Sequence, residues 1–221
     1  MEDNLIYMKR CVELASKEIG NTYPNPLVGC VIVYENKIIG EGSHQAYGDK
    51  HAEVNAINSV NDKGLLKDST LYVNLEPCNH YGKTPPCTDI ILKYKIKNVV
   101  IGSSDPNRMV EGGGIKRLEA NGCNVTYGVL ENECNHLNKR FLTYHKQKRP
   151  YVILKWAESN DGFISPIKSE REVYWISGDK SKKLSHGWRS EEHSILVGVQ
   201  TIIDDDPMLT TRLVDGKNPI R

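Results

Sequence analysis

The chain of 221 residues has almost no net charge, no long apolar run and no basic leader segment. Its 29 Lys and Arg residues balance 28 Asp and Glu residues, leaving a formal net charge of +1. It therefore lacks the overall positive field that attracts nucleic acid. Nowhere do about eighteen apolar residues follow one another, which excludes a membrane-spanning helix. Residues 1–4 include two acidic residues, Glu2 and Asp3, where a secretory signal peptide needs basic ones. We therefore expect a cytoplasmic protein whose six cysteines stay reduced.

Hydrophobic periodicity divides the chain into alternating helices and strands. Apolar spacing and turn signals predict helices over residues 5–19, 51–60, 85–92, 114–121 and 131–144. Short β-branched runs predict strands over residues 28–34, 38–42, 70–75, 98–102 and 124–127, of which the first two form a hairpin. Strands alternating with helices favour a mainly parallel sheet covered on both faces, and the hairpin makes that sheet mixed. The predicted fold class is α/β.

A polar, basic segment divides the chain into two parts. Residues 145–150 end in proline and predict a linker between a first domain at 1–144 and a second unit at 151–221. The apolar runs 151–156 and 195–199 predict buried strands in the second unit. Only 71 residues follow Pro150, which is short for an α/β domain. We therefore expect a second domain that is cut short.

Three short segments carry the residue types of a zinc site. They are His51-Ala52-Glu53, Pro77-Cys78 and Cys87. One imidazole and two thiolates suit zinc, and three protein ligands leave a fourth position open for water, as in catalytic sites. Zinc lowers the pKa of such a water from about 15.7 to near 7. Glu53 is then free to carry a proton from the water to a leaving nitrogen.

Two plainer interpretations compete with a catalytic zinc site. Cys78 and Cys87 could be buried core thiols, as Cys30 and Cys123 are expected to be. A closed structural zinc site could instead recruit His44 or His80 as a fourth ligand. The catalytic interpretation is favoured because the zinc-deaminase pattern, H-x-E followed by P-C, occurs in order.

The spacing of the two cysteines leads to a specific resemblance. Eight residues separate Cys78 from Cys87, whereas nucleobase deaminases usually have two. The chain closely resembles the bifunctional riboflavin-biosynthesis deaminase/reductase family in the segments Pro24–Cys30, Gly42–His44, Leu75–Cys87, Asp105–Asn107 and Leu137–Phe141. The resemblance implies a cytidine-deaminase-like three-layer α/β/α sandwich, followed by a partial dihydrofolate-reductase-like α/β domain.

The same resemblance implies two activities and their cofactors. The first domain would use Zn²⁺ to deaminate 2,5-diamino-6-ribosylamino-4(3H)-pyrimidinone 5′-phosphate. The second would use NADPH to reduce the ribosyl group of the product, 5-amino-6-(5-phosphoribosylamino)uracil. The partner is a small phosphoribosyl pyrimidine, with no nucleic acid or membrane, and the full-length protein is expected to be a homo-oligomer.

Site residues follow from the positions that match the family. His51, Cys78 and Cys87 would hold zinc, and Glu53 would be catalytic. The deaminase substrate would meet Asn25, His44, His80, Lys83, Asp105 and Asn107. NADPH would meet Glu158, Trp175, Thr201 and Asp205, and the reductase substrate would meet Val173, Arg189, Leu209 and Arg212.

Two other functions remain open from the residues alone. One is a zinc deaminase of a free base, nucleoside or nucleic-acid base, and the other is a zinc-stabilised binding module without turnover. Near-zero net charge argues against a polynucleotide substrate. The intact Glu53 argues against a purely structural metal site, which has no use for that carboxylate. Because the second domain is expected to be incomplete, we expect this chain to deaminate without reducing.

Overall fold

The computed structural model describes residues 2–82, 84–107, 113–165 and 174–221. The chain forms two compact units, Met1–Tyr151 and Val152–Arg221. Within the described ranges, no helix combines the length and the apolar character needed to cross a membrane.

The first unit is built on a five-stranded mixed sheet with the order β2-β1-β3-β4-β5. Its strands are β1 Gly29–Tyr34, β2 Lys37–Ser43, β3 Thr70–Leu75, β4 Asn98–Ser103 and β5 Asn124–Tyr127. Its helices are α1 Glu2–Ser16, α2 Ala52–Ser59, α3 Cys87–Lys93, α4 Gly113–Ala120, α5 Glu131–Leu137 and α6 Lys139–Gln147, with a short 3₁₀ helix at Lys63–Asp68. β1 pairs antiparallel with β2 and β3, whereas β3, β4 and β5 run parallel. The predicted hairpin and mixed α/β sheet are confirmed.

The sheet separates two apolar clusters, which makes the first unit a three-layer α/β/α sandwich. Neighbouring strand residues point to opposite faces, so Ile32 and Leu71 enter one cluster and Val31 and Tyr72 the other. The larger cluster includes side chains of α2, α3 and α4, and the smaller includes side chains of α1 and α5.

Gly42 sets how closely α2 packs on the hairpin. A Cβ atom at Gly42 would lie 2.4 Å from the backbone nitrogen of Ala56 and 2.6 Å from the carbonyl oxygen of Ala52. Only glycine leaves room for this approach. The close packing of α2 positions its N-terminus, which begins just after His51.

One predicted helix is divided into two. The helix expected over residues 131–144 breaks at Asn138, between α5 and α6. The Asn138 side chain is buried and turned to Leu27, accepting from its backbone N–H at 2.8 Å and donating to its carbonyl at 2.9 Å. This side chain satisfies the backbone of a segment 111 residues away, a partner that local periodicity does not reveal.

The second unit contains helices α7 Asp179–Glu191 and α8 Val199–Asp205. The predicted strands at 151–156 and 195–199 are wrong: the first run is irregular, and the second leads into α8. In the described part of this unit, the β pairing is an isolated bridge between Ser194 and Ile220. A strand needs a neighbour along its length to satisfy its backbone groups. Among the described residues, the bridge to Ile220 reaches the run 195–199 at its first residue, where the Ile195 N–H donates to the Ile220 carbonyl at 2.9 Å, and it does not extend into a ladder. Leu154 is 78% exposed and Leu196 is 96% exposed, so the apolar pattern does not correspond to burial here.

Candidate metal centre and active site

Three segment ends bring one histidine and two cysteines together. His51 is the residue just before α2, Cys78 follows the end of β3, and Cys87 is the first residue of α3. His51 Nδ1 lies 3.2 Å from Cys87 Sγ and 3.5 Å from Cys78 Sγ. All three donor atoms lie within 4.8 Å of one another. The structure therefore places the three predicted zinc ligands in one cluster.

The donor set fits zinc, and within the described ranges it leaves one tetrahedral position without a protein ligand. One imidazole nitrogen and two sulfurs are the donors that zinc binds tetrahedrally. Among the described residues, the potential metal-binding group contains these three members. His44 is engaged elsewhere, because its Nε2 lies 2.9 Å from Asn25 Nδ2 and its Nδ1 lies 3.1 Å from the carbonyl of Lys50. The arrangement therefore favours an open site over a closed structural one.

Hydrogen bonding prepares one of the two thiols to act as a metal ligand. The backbone N–H of Cys87 donates to Cys78 Sγ at 3.2 Å. Hydrogen bonds from the Cys87 thiol, and then from His51 and the Cys87 backbone, lower the pKa of Cys78 to about 4. Hydrogen bonding to Cys78 and burial raise the pKa of Cys87. Because the thiolate is the form that binds metal, these hydrogen bonds favour Cys78 in the state that a metal ligand needs.

Glu53 lies in the first turn of α2, beside the metal-binding group. Its side chain is buried and is a hydrogen-bond partner of the Cys87 thiol. Burial first, and then the charge of Cys78, raise the pKa of Glu53. Burial thus favours the protonated form of this carboxyl, which makes Glu53 a candidate proton carrier beside the metal-binding group.

Two of the predicted substrate residues form a pair next to His51. Asn25 and His44 are joined by the 2.9 Å contact described above, and the His44 and His51 rings meet edge to face with centroids 5.5 Å apart. Burial lowers the pKa of His44, which favours a neutral ring. The pair therefore lies directly beside the metal-binding histidine.

Asp105 and Asn107 follow β4, at the same edge of the sheet as Cys78. β3 and β4 are parallel, so their carboxyl ends meet at that edge. Asp105 is buried, which raises the pKa of its carboxyl to about 6, and it accepts from the Asn107 backbone N–H at 2.8 Å. His80 lies between the two cysteines with a buried Nδ1 that has no hydrogen-bond partner among the described residues. Lys83 lies outside the described residues.

Several polar residues that support the site were missed by sequence reasoning. Glu76 is buried and accepts from the backbone N–H groups of Asp105, Gly114 and Ile115. Asn74 is fully buried; it accepts from Gly29 N–H at 2.8 Å and donates to the Leu27 carbonyl at 3.0 Å. Together with Asn138, it holds the segment that follows Asn25. Asn74 could have been recognised as a supporting residue from the sequence, because it is a polar residue inside an otherwise apolar strand.

Two of the predicted reductase-substrate residues lie near one another in the second unit. Arg189 Nη1 donates to the Thr210 carbonyl at 2.6 Å, and the Arg212 backbone N–H donates to His186 Nδ1 at 3.0 Å. The Arg189 Nε atom is buried without a hydrogen-bond partner in the described part of the chain. Burial and the charge of Arg212 lower the pKa of Arg189. Such a pair of like charges is suited to an anionic ligand.

The other predicted residues of this unit occupy separate segments. Glu158 accepts from Trp156 Nε1 at 3.0 Å, and the Trp175 ring lies 4.1 Å from Lys182 Nζ. Thr201 and Asp205 are one turn apart on α8, and Leu209 adopts a left-handed backbone conformation with φ 55°. Val173 lies outside the described residues. The structure thus groups Arg189 with Arg212 but does not assemble the predicted NADPH residues through a shared contact among the described residues.

The sandwich fold and the His-Cys-Cys cluster with its buried glutamate define the class of zinc-dependent deaminases. Consistently, residues 1–103 match the cytidine and deoxycytidylate deaminase zinc-binding region. Residues 150–221 match the RibD C-terminal domain. The chain belongs to the RibD family of riboflavin biosynthesis proteins.

Individual relatives agree with this assignment. The riboflavin biosynthesis protein RibD of Aquifex aeolicus is 46% identical over 97% of this chain and 60% of its own length. A crystal structure of a diaminohydroxyphosphoribosylaminopyrimidine deaminase/5-amino-6-(5-phosphoribosylamino)uracil reductase from Thermotoga maritima matches with a TM-score of 0.91 and 44% identity, over 99% of this chain and 62% of that chain. RibD of Acinetobacter baumannii matches with a TM-score of 0.89 and 38% identity, over 96% and 58%. The chain thus spans about 60% of the length of these relatives.

Proposed function

We propose that the first unit is a zinc-dependent deaminase of riboflavin biosynthesis. Its substrate would be 2,5-diamino-6-ribosylamino-4(3H)-pyrimidinone 5′-phosphate, from which it removes the 2-amino group by hydrolysis. The observation that carries the proposal is the buried Glu53 beside a three-ligand cluster, since a structural site has no role for that carboxylate. The deaminase/reductase name of the Thermotoga maritima relative supports this choice of substrate.

The chemistry divides between the metal ligands and Glu53. His51, Cys78 and Cys87 would hold zinc, which when bound supplies a Lewis acid that activates water for attack. Water adds at the ring carbon, the carbon–nitrogen bond breaks, and ammonia leaves as a carbonyl forms. Glu53 accepts a proton from the attacking water and delivers it to the leaving nitrogen, so its carboxylate is regenerated in each cycle.

Residues around the cluster would orient the substrate. Asn25 and His44 lie on the His51 side, and Asp105 and Asn107 lie at the carboxyl end of β4. Amide and carboxyl groups of this kind can hydrogen-bond the ring and the ribose. His80 and Lys83, which belong to the segment between the cysteines, are proposed to complete the pocket.

We also propose that the second unit belongs to an NADPH-dependent reductase that acts on the deaminated product. The observation in its favour is the proximity of the Arg189 and Arg212 segments, which suits the phosphate of that product. Glu158, Trp175, Thr201 and Asp205 are the proposed NADPH contacts, and Val173 and Leu209 the further substrate contacts.

Ammonia release tests the deaminase proposal directly. The purified zinc-loaded chain is assayed with the phosphoribosyl pyrimidine, with its dephosphorylated analogue and with cytidine. We expect turnover of the first substrate and its loss when a chelator removes zinc. Preference for cytidine would instead support a general base or nucleoside deaminase, and no turnover of any substrate would favour a binding module.

Glu53→Gln separates catalysis from metal binding. The variant keeps the size of the side chain but removes the proton carrier, so we expect turnover to fall by roughly 10²–10⁴-fold while zinc content stays the same. Glu119→Gln, at an exposed position of α4, is the matched control and should behave like the wild type. Turnover of Glu53→Gln within threefold of the wild type would show that another group moves the proton.

A further inference from the structure

Helix α4 contacts the chain immediately before Cys78. The backbone N–H groups of Gly114 and Ile115 donate to Glu76 Oε1 at 3.0 and 3.2 Å. A Cβ atom at Gly114 would lie 2.1 Å from the carbonyl oxygen of Pro77, so glycine is needed for this approach. The first turn of α4 therefore packs directly against the segment that leads into the first cysteine.

The same helix contacts the residues that follow each cysteine through one side chain, Arg117. Its Nη1 donates to Asn79 Oδ1 at 2.8 Å and to Thr88 Oγ1 at 3.2 Å. Its Nη2 donates to Asp89 Oδ1 at 2.5 Å. Asn79 is the residue after Cys78, and Thr88 is the residue after Cys87. One guanidinium group thus joins the residue that follows Cys78 to the two residues that follow Cys87.

The acceptors of Arg117 are themselves connected. Thr88 Oγ1 donates to Asn79 Oδ1 at 3.3 Å, and the Thr88 backbone N–H donates to the Cys78 carbonyl at 3.2 Å. Asn79 Nδ2 donates to the Gly113 carbonyl at 3.2 Å, and Tyr81 donates to Asp89 Oδ2 at 3.0 Å. The network therefore ties Asn79 and α3 to each other and to the start of α4.

The role of the Arg117 network follows from the irregular backbone of the segment between the two cysteines. The described residues of the segment 79–86 form no helix or strand of their own, so the separation of Cys78 and Cys87 depends on contacts made at the two cysteines and the residues beside them. A guanidinium group is planar and presents its donors in a rigid fork, so it can fix several acceptors relative to one another. Groups behind the ligands typically change metal affinity by about 10–100-fold.

We propose that Arg117 is a positioning residue that holds Cys78 and Cys87 at the separation zinc requires and thereby slows release of the metal. This inference rests on the proposed zinc site. Arg117 touches neither the ligand atoms nor Glu53 in its hydrogen bonds, and it acts through the residues next to the two cysteines.

Zinc release to an excess of a chromogenic chelator tests the proposal, because it does not depend on turnover. We expect Arg117→Ala to raise the zinc dissociation constant by about 10–100-fold, with faster release. Arg117→Lys should recover only part of the affinity, since a single ammonium cannot join the same acceptors. Lys116→Ala, at an exposed position one residue earlier in α4, is the control and should retain wild-type affinity. At saturating zinc, kcat of Arg117→Ala should stay within threefold of the wild type.

Asp89→Asn keeps the experiment decisive if Arg117→Ala does not fold. It leaves the side chain in place but removes the charge that faces Nη2, and we expect faster zinc release than in the wild type. Wild-type zinc affinity in folded Arg117→Lys and Asp89→Asn would overturn the proposal while leaving the zinc-deaminase function intact. A wild-type chain that binds no zinc would overturn both.

Discussion

Asp105 offers a test in which one substitution is expected to stabilise the fold and to weaken substrate binding. Burial raises the pKa of its carboxyl from 3.8 to about 6. The folded state therefore holds the Asp105 proton more tightly than the unfolded state does. The resulting contribution to stability is fully present below pH 3.8 and is lost as the pH rises through about 6.

The size of the effect follows from the pKa difference. A shift of about 2 units corresponds to roughly 3 kcal/mol, at about 1.36 kcal/mol per unit. The amide introduced by Asp105→Asn cannot ionise, and its oxygen can still accept from the Asn107 N–H, which lies 2.8 Å from the carboxylate in the wild type. We therefore expect Asp105→Asn to gain up to about 3 kcal/mol relative to the wild type between pH 4 and pH 8.

Urea unfolding of the wild type and Asp105→Asn across this pH range measures the difference. The stability difference should grow as the pH rises from about 4 to 6 and then level off. Asp49→Asn, at an exposed position, is the control and should show no comparable pH dependence. A difference that is constant with pH, or that grows toward acid, would refute the reasoning. The same variant should have a higher KM for the phosphoribosyl pyrimidine, because it loses the proposed substrate-binding carboxylate.

Two further predictions concern contacts that support the first unit. Asn138→Leu leaves the buried Leu27 N–H without its side-chain acceptor and should lower the free energy of unfolding by about 1–3 kcal/mol; Asn61→Leu, at an exposed position, is its control, and equal urea midpoints would contradict the prediction. Arg10 holds Glu41 through contacts of 2.7 and 2.9 Å and lowers its pKa. The ion pair's contribution to stability is present above the unfolded pKa of Glu41, about 4.3, and is lost as the pH falls through the lower folded value. Arg10→Gln should therefore be destabilised by at most about 1 kcal/mol at pH 7. Its urea midpoint should converge with the wild type near pH 3, and an equal deficit at both pH values would argue against the pair.

Local patterns predicted most of the first unit. The β-branched runs at 70–75 and 124–127 coincide with β3 and β5, because each run is bounded by turn residues and pairs with neighbouring strands. The second unit was predicted less well. The runs 151–156 and 195–199 have the composition of strands, but composition does not supply a pairing partner.

The residues of the candidate site also differ in how far the sequence predicts them. His51, Glu53, Cys78 and Cys87 occur in short strings whose residue types and order indicate a zinc deaminase. Their grouping could therefore be predicted before any distance was known. Arg117 could not be, because an arginine on an amphipathic helix ordinarily faces solvent.

What separates the predictable residues from the others is the distance along the chain to their partners. A metal ligand is recognised from its own neighbours in the sequence, whereas a supporting residue is defined by a contact that the fold creates. Glu76 is bonded to Gly114 across 38 positions, and Asn138 to Leu27 across 111. Substitutions at supporting residues should therefore change metal retention, stability or KM, while Glu53→Gln should change turnover at constant zinc. Because the two kinds of substitution change different measured quantities, mutagenesis can distinguish supporting residues from the proton carrier without relying on the distances in the structure.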